Sequence, residues 1–249
     1  MEDNNMKNRV AVITGATKGI GKGLFIRLAE AGVNTATVYH EDEKAAEEFA
    51  EIAQKMNIRY HIEKFDVCDI VKLPIYINNI YEEFGRIDYL INNVGLNVYK
   101  TIHDCSLKEW EKAQDIILNV PFQLMKLVIP VMRRQKFGRI VNIGASSNDY
   151  LKGVAGVGPF GVHKAALTVL TKTLALEEIK YGITVNMVAP GSTEKAGTIP
   201  EGGRIPISNI PIGRRIEIEE VVESIMFFLA DNVGGITGQF IGVNGGLST

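Results

Sequence analysis

Thr14-Gly15-Ala16-Thr17-Lys18-Gly19-Ile20-Gly21 sets three glycines at G-x-x-x-G-x-G spacing between an apolar run and an amphipathic one. Glycines there permit a tight turn and let backbone N–H groups approach a pyrophosphate, whose charge a helix N-terminus favours. The chemistry implied is dinucleotide binding; the plain alternative is a structural turn between strand and helix. Further along, His163 stands beside Lys164. His163 titrates near neutrality. One residue on a helix turns by about 100°, however, so His163 and Lys164 point to different sides. Cys68 and Cys105 are too few and too isolated for a disulfide framework or a thiolate metal site, and no metal site is expected.

These groups need elements to hold them. Apolar, β-branched runs at 9–14, 34–39, 59–65, 89–92, 139–143, 184–188 and 240–243 read as seven short strands. Helical patterns fall between them at 20–31, 44–56, 72–84, 106–118, 120–135, 162–180 and 218–229. Gly32 sits where a left-handed helix end belongs, Ser106 with Glu109 forms a capping box, and Pro74 suits a first helical turn. Short apolar strands without alternation suit a parallel sheet covered on both faces. The expected fold is α/β: a doubly wound, Rossmann-type parallel sheet of about seven strands in three αβα layers. Its ligand crevice lies at the carboxyl ends of the strands. Residues 15–21, 92–95, 145–147 and 190–191 all follow strands, and that coincidence outweighs any single motif.

The bulk properties narrow the function. At 249 residues and 46% hydrophobic, the chain can bury a sizeable core, and it has no linker-like run or repeat. Residues 1–8 read as a flexible polar tail and 9–249 as a single domain. A formal charge of −2, with cations scattered among acids, gives no electrostatic case for nucleic acid or an anionic membrane. No unbroken apolar run has the length of a membrane span, and the N-terminus is polar. A reduced, cytoplasmic protein is expected.

Taken with Asn92-Asn93-Val94-Gly95 and Phe160-Gly161-Val162-His163-Lys164, the glycine turn resembles that of the short-chain dehydrogenase/reductase family. The resemblance runs from about Lys7 to Gly246. Gly238-Gln239-Phe240-Ile241 and Asn244-Gly245-Gly246 resemble the ending of bacterial 3-oxoacyl-[acyl-carrier-protein] reductases, with Asn244 where Asp is commoner. The resemblance implies a cofactor site. Gly15, Thr17, Lys18, Gly19, Ile20 and Gly21 would cradle the pyrophosphate, and Asp66 with Val67 would meet the adenine. Asn92, Asn93, Val94 and Gly95 would wall the adenine and ribose, Val94 standing where Ala is usual. Pro190, Gly191 and Thr193 would lie beside the nicotinamide. The position that selects the cofactor falls on Tyr39, followed by His40. With no acid there and Lys18 in the turn, NADP(H) is favoured over NAD(H). Glu41, which lies 20 residues past Gly21 and is followed by Asp42, is the competing ribose acid.

The family's chemistry needs an Asn to anchor a water, a Ser to polarise the substrate oxygen, a Tyr to give the proton and a Lys to tune the Tyr and hold the ribose. The resemblance assigns Asn119 and Lys164. It puts Phe160 at the Tyr position, and a phenyl ring has no proton to give. The Ser stays open: register from Gly138 selects Ala145, register back from Phe160 selects Ser147, and a bulge would present Ser146 or Ser147. Related enoyl reductases carry their Tyr where this chain has Val157. Tyr150 and His163 are the substitute donors considered. Two readings follow. One is an NADP(H)-dependent reductase acting on a small-molecule carbonyl or an acyl thioester, such as a 3-oxoacyl thioester. The other is a cofactor-binding protein with little turnover, acting as a sensor or a structural subunit. A plain interaction module leaves the glycine turn unexplained. The family implies a homotetramer or homodimer, and segment 192–212, rich in Gly, Pro and Ile, is the expected substrate lid.

Overall fold

A computed structural model describes residues 6–145, 153–194 and 205–247. Its strands are β1 (Val10–Thr14), β2 (Asn34–Tyr39), β3 (Tyr60–Lys64), β4 (Tyr89–Asn92), β5 (Gly138–Ile143), β6 (Ile183–Pro190) and β7 (Phe240–Val243). They form one parallel seven-stranded sheet in the order β3-β2-β1-β4-β5-β6-β7. The helices are α1 (Gly19–Glu30), α2 (Glu43–Lys55), α3 (Leu73–Phe84), α4 (Leu107–Gln114), α5 (Val120–Gln135), α6 (Gly158–Glu178) and α7 (Ile218–Leu229). The doubly wound single domain expected from the strand–helix alternation is the one observed. The chain winds outward from β1 to β3, then returns to β4, so a crevice opens between the ends of β1 and β4.

The strands read as unbroken apolar runs because both faces are covered. Along β1, Val10 and Val12 enter one layer, beneath α3, α5 and α6; Ala11 and Ile13 enter the other, beneath α1 and α7. The local signals also hold. Gly32 has φ +74° and donates to the Ala29 carbonyl. Ser106 and Glu109 close a reciprocal capping box, and Pro74 lies in the first turn of α3.

Three elements differ from the sequence reading. The helices at 106–118 and 120–135 are one run, joined by a π-helical turn over Asp115–Asn119. Pro121 accounts for the widening: in a regular helix its ring would meet the carbonyl of Ile117. Helix α6 starts at Gly158 rather than at residue 162, because Pro159 suits a first turn even though Gly161 disfavours a helix. Met6, expected in a flexible tail, is buried in the layer beneath α1, and the Asn8 N–H donates to the Gly32 carbonyl. The run Leu107–Gln135 is long and apolar enough to cross a membrane by length and composition, and half of that apolar window is buried inside the protein.

Candidate cofactor cleft and active site

The glycine turn is shaped by conformations that only glycine adopts freely. Gly15 and Gly19 have φ of +71° and +52°. A Cβ on Gly21 would lie 2.1 Å from the Gly15 carbonyl oxygen, so α1 passes under the turn only because residue 21 lacks one. Strand hydroxyls fix the turn from below. Thr37 donates to the Ile13 carbonyl at 2.8 Å and accepts from the Ala16 N–H at 3.2 Å. Thr14 accepts from the N–H groups of Asn93 and Val94 at 2.9 and 3.1 Å. The Asn93 amide donates to the carbonyls of Thr14 and Gly15 at 3.0 and 3.3 Å. Asn93 therefore braces the turn with its side chain and does not line the cleft. Lys18 precedes α1 in extended backbone, with no side-chain cap and no acid in the first turn. The first N–H groups of α1 are left to an outside anion.

A cleft of about 690 Å³ opens beside this turn. Gly15, Thr17, Lys18, Tyr39, His40, Asp66, Val67 and Val94, which the resemblance assigns to the cofactor, line it; Val38, Glu41, Asp42, Glu43, Phe65 and Ile116 join them. Ile116 comes from the π turn, which sequence periodicity did not announce. Valine, phenylalanine and isoleucine walls suit a flat base, and the uncapped helix start with its glycine cradle suits a pyrophosphate. The residues present therefore fit a dinucleotide. Gly19, Ile20, Gly21, Asn93, Gly95, Pro190, Gly191 and Thr193 are not on the cleft wall, and Ile20 packs on the layer beneath α1.

The charges at the far end of the cleft are already paired. The Lys18 ammonium bonds the Asp42 carboxylate, which also caps α2 by accepting from the Ala45 N–H at 3.0 Å. Those two bonds hold the Asp42 carboxyl below its ordinary pKa. His40 lies 3.8 Å from the Glu41 carboxylate. Glu41 follows the end of β2 at Tyr39, as the sequence reading placed it.

The second constellation gathers on α6. Lys164 is 4% exposed, and its ammonium donates to the Ile143 carbonyl at the end of β5. Burial lowers its pKa to about 8, because the charged form has lost its water. Phe160, one helical turn earlier, places its ring centre 6.0 Å from the Lys164 nitrogen. Opposite lies Gly95, where a Cβ would stand 3.9 Å from that nitrogen. The loop after β4 therefore joins the two sites, with Val94 on the cleft and Gly95 beside Lys164.

The Enoyl-(Acyl carrier protein) reductase family matches the chain over residues 15–248. The chain belongs to the short-chain dehydrogenase/reductase family. An acetoacetyl-CoA reductase from Shinella zoogloeoides is 35% identical over 244 residues, covering 96% of this chain and 98% of the relative. The 3-oxoacyl-[acyl-carrier-protein] reductase FabG of Thermotoga maritima is 32% identical over 247 residues, covering 97% and 98%. The crystal structure of levodione reductase superposes with a TM-score of 0.89 at 26% identity, over 98% of each chain. Membership implies an NAD(P)-binding oxidoreductase.

Within this short-chain dehydrogenase/reductase, the remaining expected residues fall as follows. Asn119 lies in the π turn, which packs on α6, and its amide donates to the Asp115 carboxylate at 2.8 Å. Ala145 is a buried methyl two residues past Ile143; Ser146, Ser147 and Tyr150 lie outside the described residues. His163 points away, bonding the Pro159 carbonyl at 2.7 Å with its ring edge on Trp110. Its burial lowers its pKa, and it supplies nothing to the Lys164 side. Pro190 ends β6, and the Gly191 N–H donates to the Val243 carbonyl at 2.9 Å. Thr193 is buried and donates to the Gly191 carbonyl at 3.2 Å, so β7 braces this segment. Of the expected lid, only 192–194 and 205–212 are described. Beside Lys164, too, a residue was missed. Tyr99, in the loop after β4, sets its ring against Phe160 with centroids 5.4 Å apart at 66°. No local pattern marks it, because the contact joins a loop to a helix far along the chain.

Proposed function

We propose that this chain reduces the carbonyl of a 3-oxoacyl thioester to an alcohol, using NADP(H) in preference to NAD(H). The observation that carries the reading is the buried Lys164 ammonium, held at the end of β5 by Ile143 and reached from the cofactor cleft along Val94 and Gly95. An acetoacetyl-CoA reductase and a FabG reductase, each similar over nearly the whole chain, support the substrate class. When bound, a reduced nicotinamide supplies the hydride that the carbonyl carbon receives. The chain's own residues bind and orient. Residues 15–21 hold the pyrophosphate, and Val38, Phe65, Val67 and Ile116 wall the base. Lys164 donates one of its three N–H bonds to Ile143 and keeps the others for ribose hydroxyls.

Tyr39 supports the NADP(H) preference, because no carboxylate ends β2 to claim a ribose 2′-hydroxyl. Lys18 then exchanges Asp42 for the 2′-phosphate. The protein acts in the cytoplasm, away from membranes and nucleic acid, as a homodimer or homotetramer. Exposed Phe122 on α5, Val169 and Leu176 on α6, and Phe227 on α7 suit contacts between copies.

Phe160, at the position where the family carries Tyr, and Ala145, which register from Gly138 puts at the Ser position, favour a second reading, a cofactor-binding protein with little turnover. Calorimetric titration with NADPH and NADH, followed by an acetoacetyl-CoA reduction assay, separates the two. Tight NADPH binding with turnover supports the reductase; binding without turnover supports the second reading; no binding of either cofactor overturns both.

A further inference from the structure

We propose that Tyr99 is the proton donor of this site, its phenol taking the place of the one that Phe160 lacks. The inference rests on the reductase reading. Phe160 touches both groups: the Tyr99 ring packs edge-on to Phe160 at 5.4 Å, and the Phe160 ring centre is 6.0 Å from the Lys164 nitrogen.

The loop that carries Tyr99 is held by α6 on one side and by α4 on the other. Gly158, at the start of α6, comes so close that a Cβ there would lie 2.3 Å from the Lys100 carbonyl oxygen. The Lys100 ammonium pairs with Glu109 of α4 at 2.5 Å. The same loop begins with Val94 on the cofactor cleft and Gly95 beside Lys164, four residues before Tyr99.

Within the protein, the Tyr99 hydroxyl has a long contact of 3.4 Å to the Asn97 side-chain oxygen, which leaves its proton available to a substrate. Burial raises the phenol pKa above its ordinary value, so Tyr99 gives up its proton only as negative charge develops on the carbonyl oxygen. In the step, the Tyr99 O–H bond breaks as its proton passes to the carbonyl oxygen. The C=O π pair becomes the new O–H bond, and a bound reduced dinucleotide would supply the hydride that balances the step at carbon. Tyr99 is partly exposed, so its phenolate regains a proton from water.

The test compares wild type, Tyr99→Phe, Tyr150→Phe and the double variant Tyr99→Phe with Phe160→Tyr. Acetoacetyl-CoA binding is measured by calorimetry on protein holding oxidised NADP, where no turnover occurs. Tyr99→Phe is expected to bind the thioester about 3- to 10-fold more weakly, the loss of one hydrogen bond, with NADPH affinity unchanged. Reduction is expected to fall roughly 100-fold, the low end for a lost general acid, and the double variant to regain most of it. Turnover and thioester binding in Tyr99→Phe that equal wild type overturn the Tyr99 assignment alone, as does a loss confined to Tyr150→Phe. A wild type that neither binds nor reduces the thioester overturns the reductase reading and this inference together.

Discussion

The Lys164 ammonium donates to the Ile143 carbonyl, tying α6 to the end of β5 through a charge withdrawn from water. A buried cation with a backbone carbonyl as its partner destabilises the empty protein, and a negative or hydroxyl-rich ligand relieves that cost. The site is thereby poised for a ligand.

Lys164 sets a pH dependence of stability whose sign is fixed. Its folded pKa of about 8 lies below the ordinary 10.5, so between those values the unfolded chain holds more protons. Stability rises with pH across that window, and below pH 8 the cost is present in full, at roughly 3 kcal/mol. Lys164→Met should be more stable than wild type at pH 7, with the difference shrinking as pH climbs toward 10.5. Urea denaturation of both proteins at pH 7 and pH 10 checks this; an unchanged difference would contradict it.

In the Tyr99→Phe background, Phe160→Tyr should raise carbonyl reduction at least tenfold, by returning a phenol one helical turn from Lys164. The readout is steady-state loss of reduced cofactor with acetoacetyl-CoA. An unchanged rate would mean the pocket serves other work. Adding Ala145→Ser tests whether the polarising hydroxyl is also recoverable.

Gly21→Ala should weaken cofactor binding by at least about tenfold, or ~1.4 kcal/mol, because the new methyl meets the Gly15 carbonyl at 2.1 Å. Gly235→Ala is the control: no atom lies within 4 Å of its added Cβ. Equal NADPH affinity in both variants, measured by calorimetry, would remove the turn from the cofactor site.

Asp42→Asn should shift cofactor choice. It releases the Lys18 ammonium while leaving an Asn able to cap α2. The ratio of NADPH to NADH affinity should rise on the order of fivefold, as a charge-assisted bond to a 2′-phosphate replaces an internal pair. A ratio that stays constant would show that Lys18 does not face the 2′ position.

Much of the fold was legible in the sequence. Strands β2, β4 and β7 begin and end where the apolar runs put them, since a strand buried on both faces writes itself as a continuous run. The capping box at Ser106 and the turn at Gly32 are equally local. The π turn was not legible, because Pro121 acts on a helix whose apolar pattern continues through it. The early start of α6 was hidden by Gly161, whose weak helix propensity is overridden by packing.

For the site, the sequence by itself determined the glycine turn, and its resemblance to the family pointed to Tyr39, Asp66, Val67, Val94, Phe160 and Lys164. The turn depends on backbone conformations that a few neighbouring residues dictate. Only the tertiary structure decided that Asn93 braces the turn, that Asp42 holds Lys18, that His163 faces Trp110, and that Tyr99 lies against Phe160. Those contacts join residues far apart in the chain, and their partners are chosen by the parallel sheet, which brings loops after separate strands to one edge. No local propensity carries that choice.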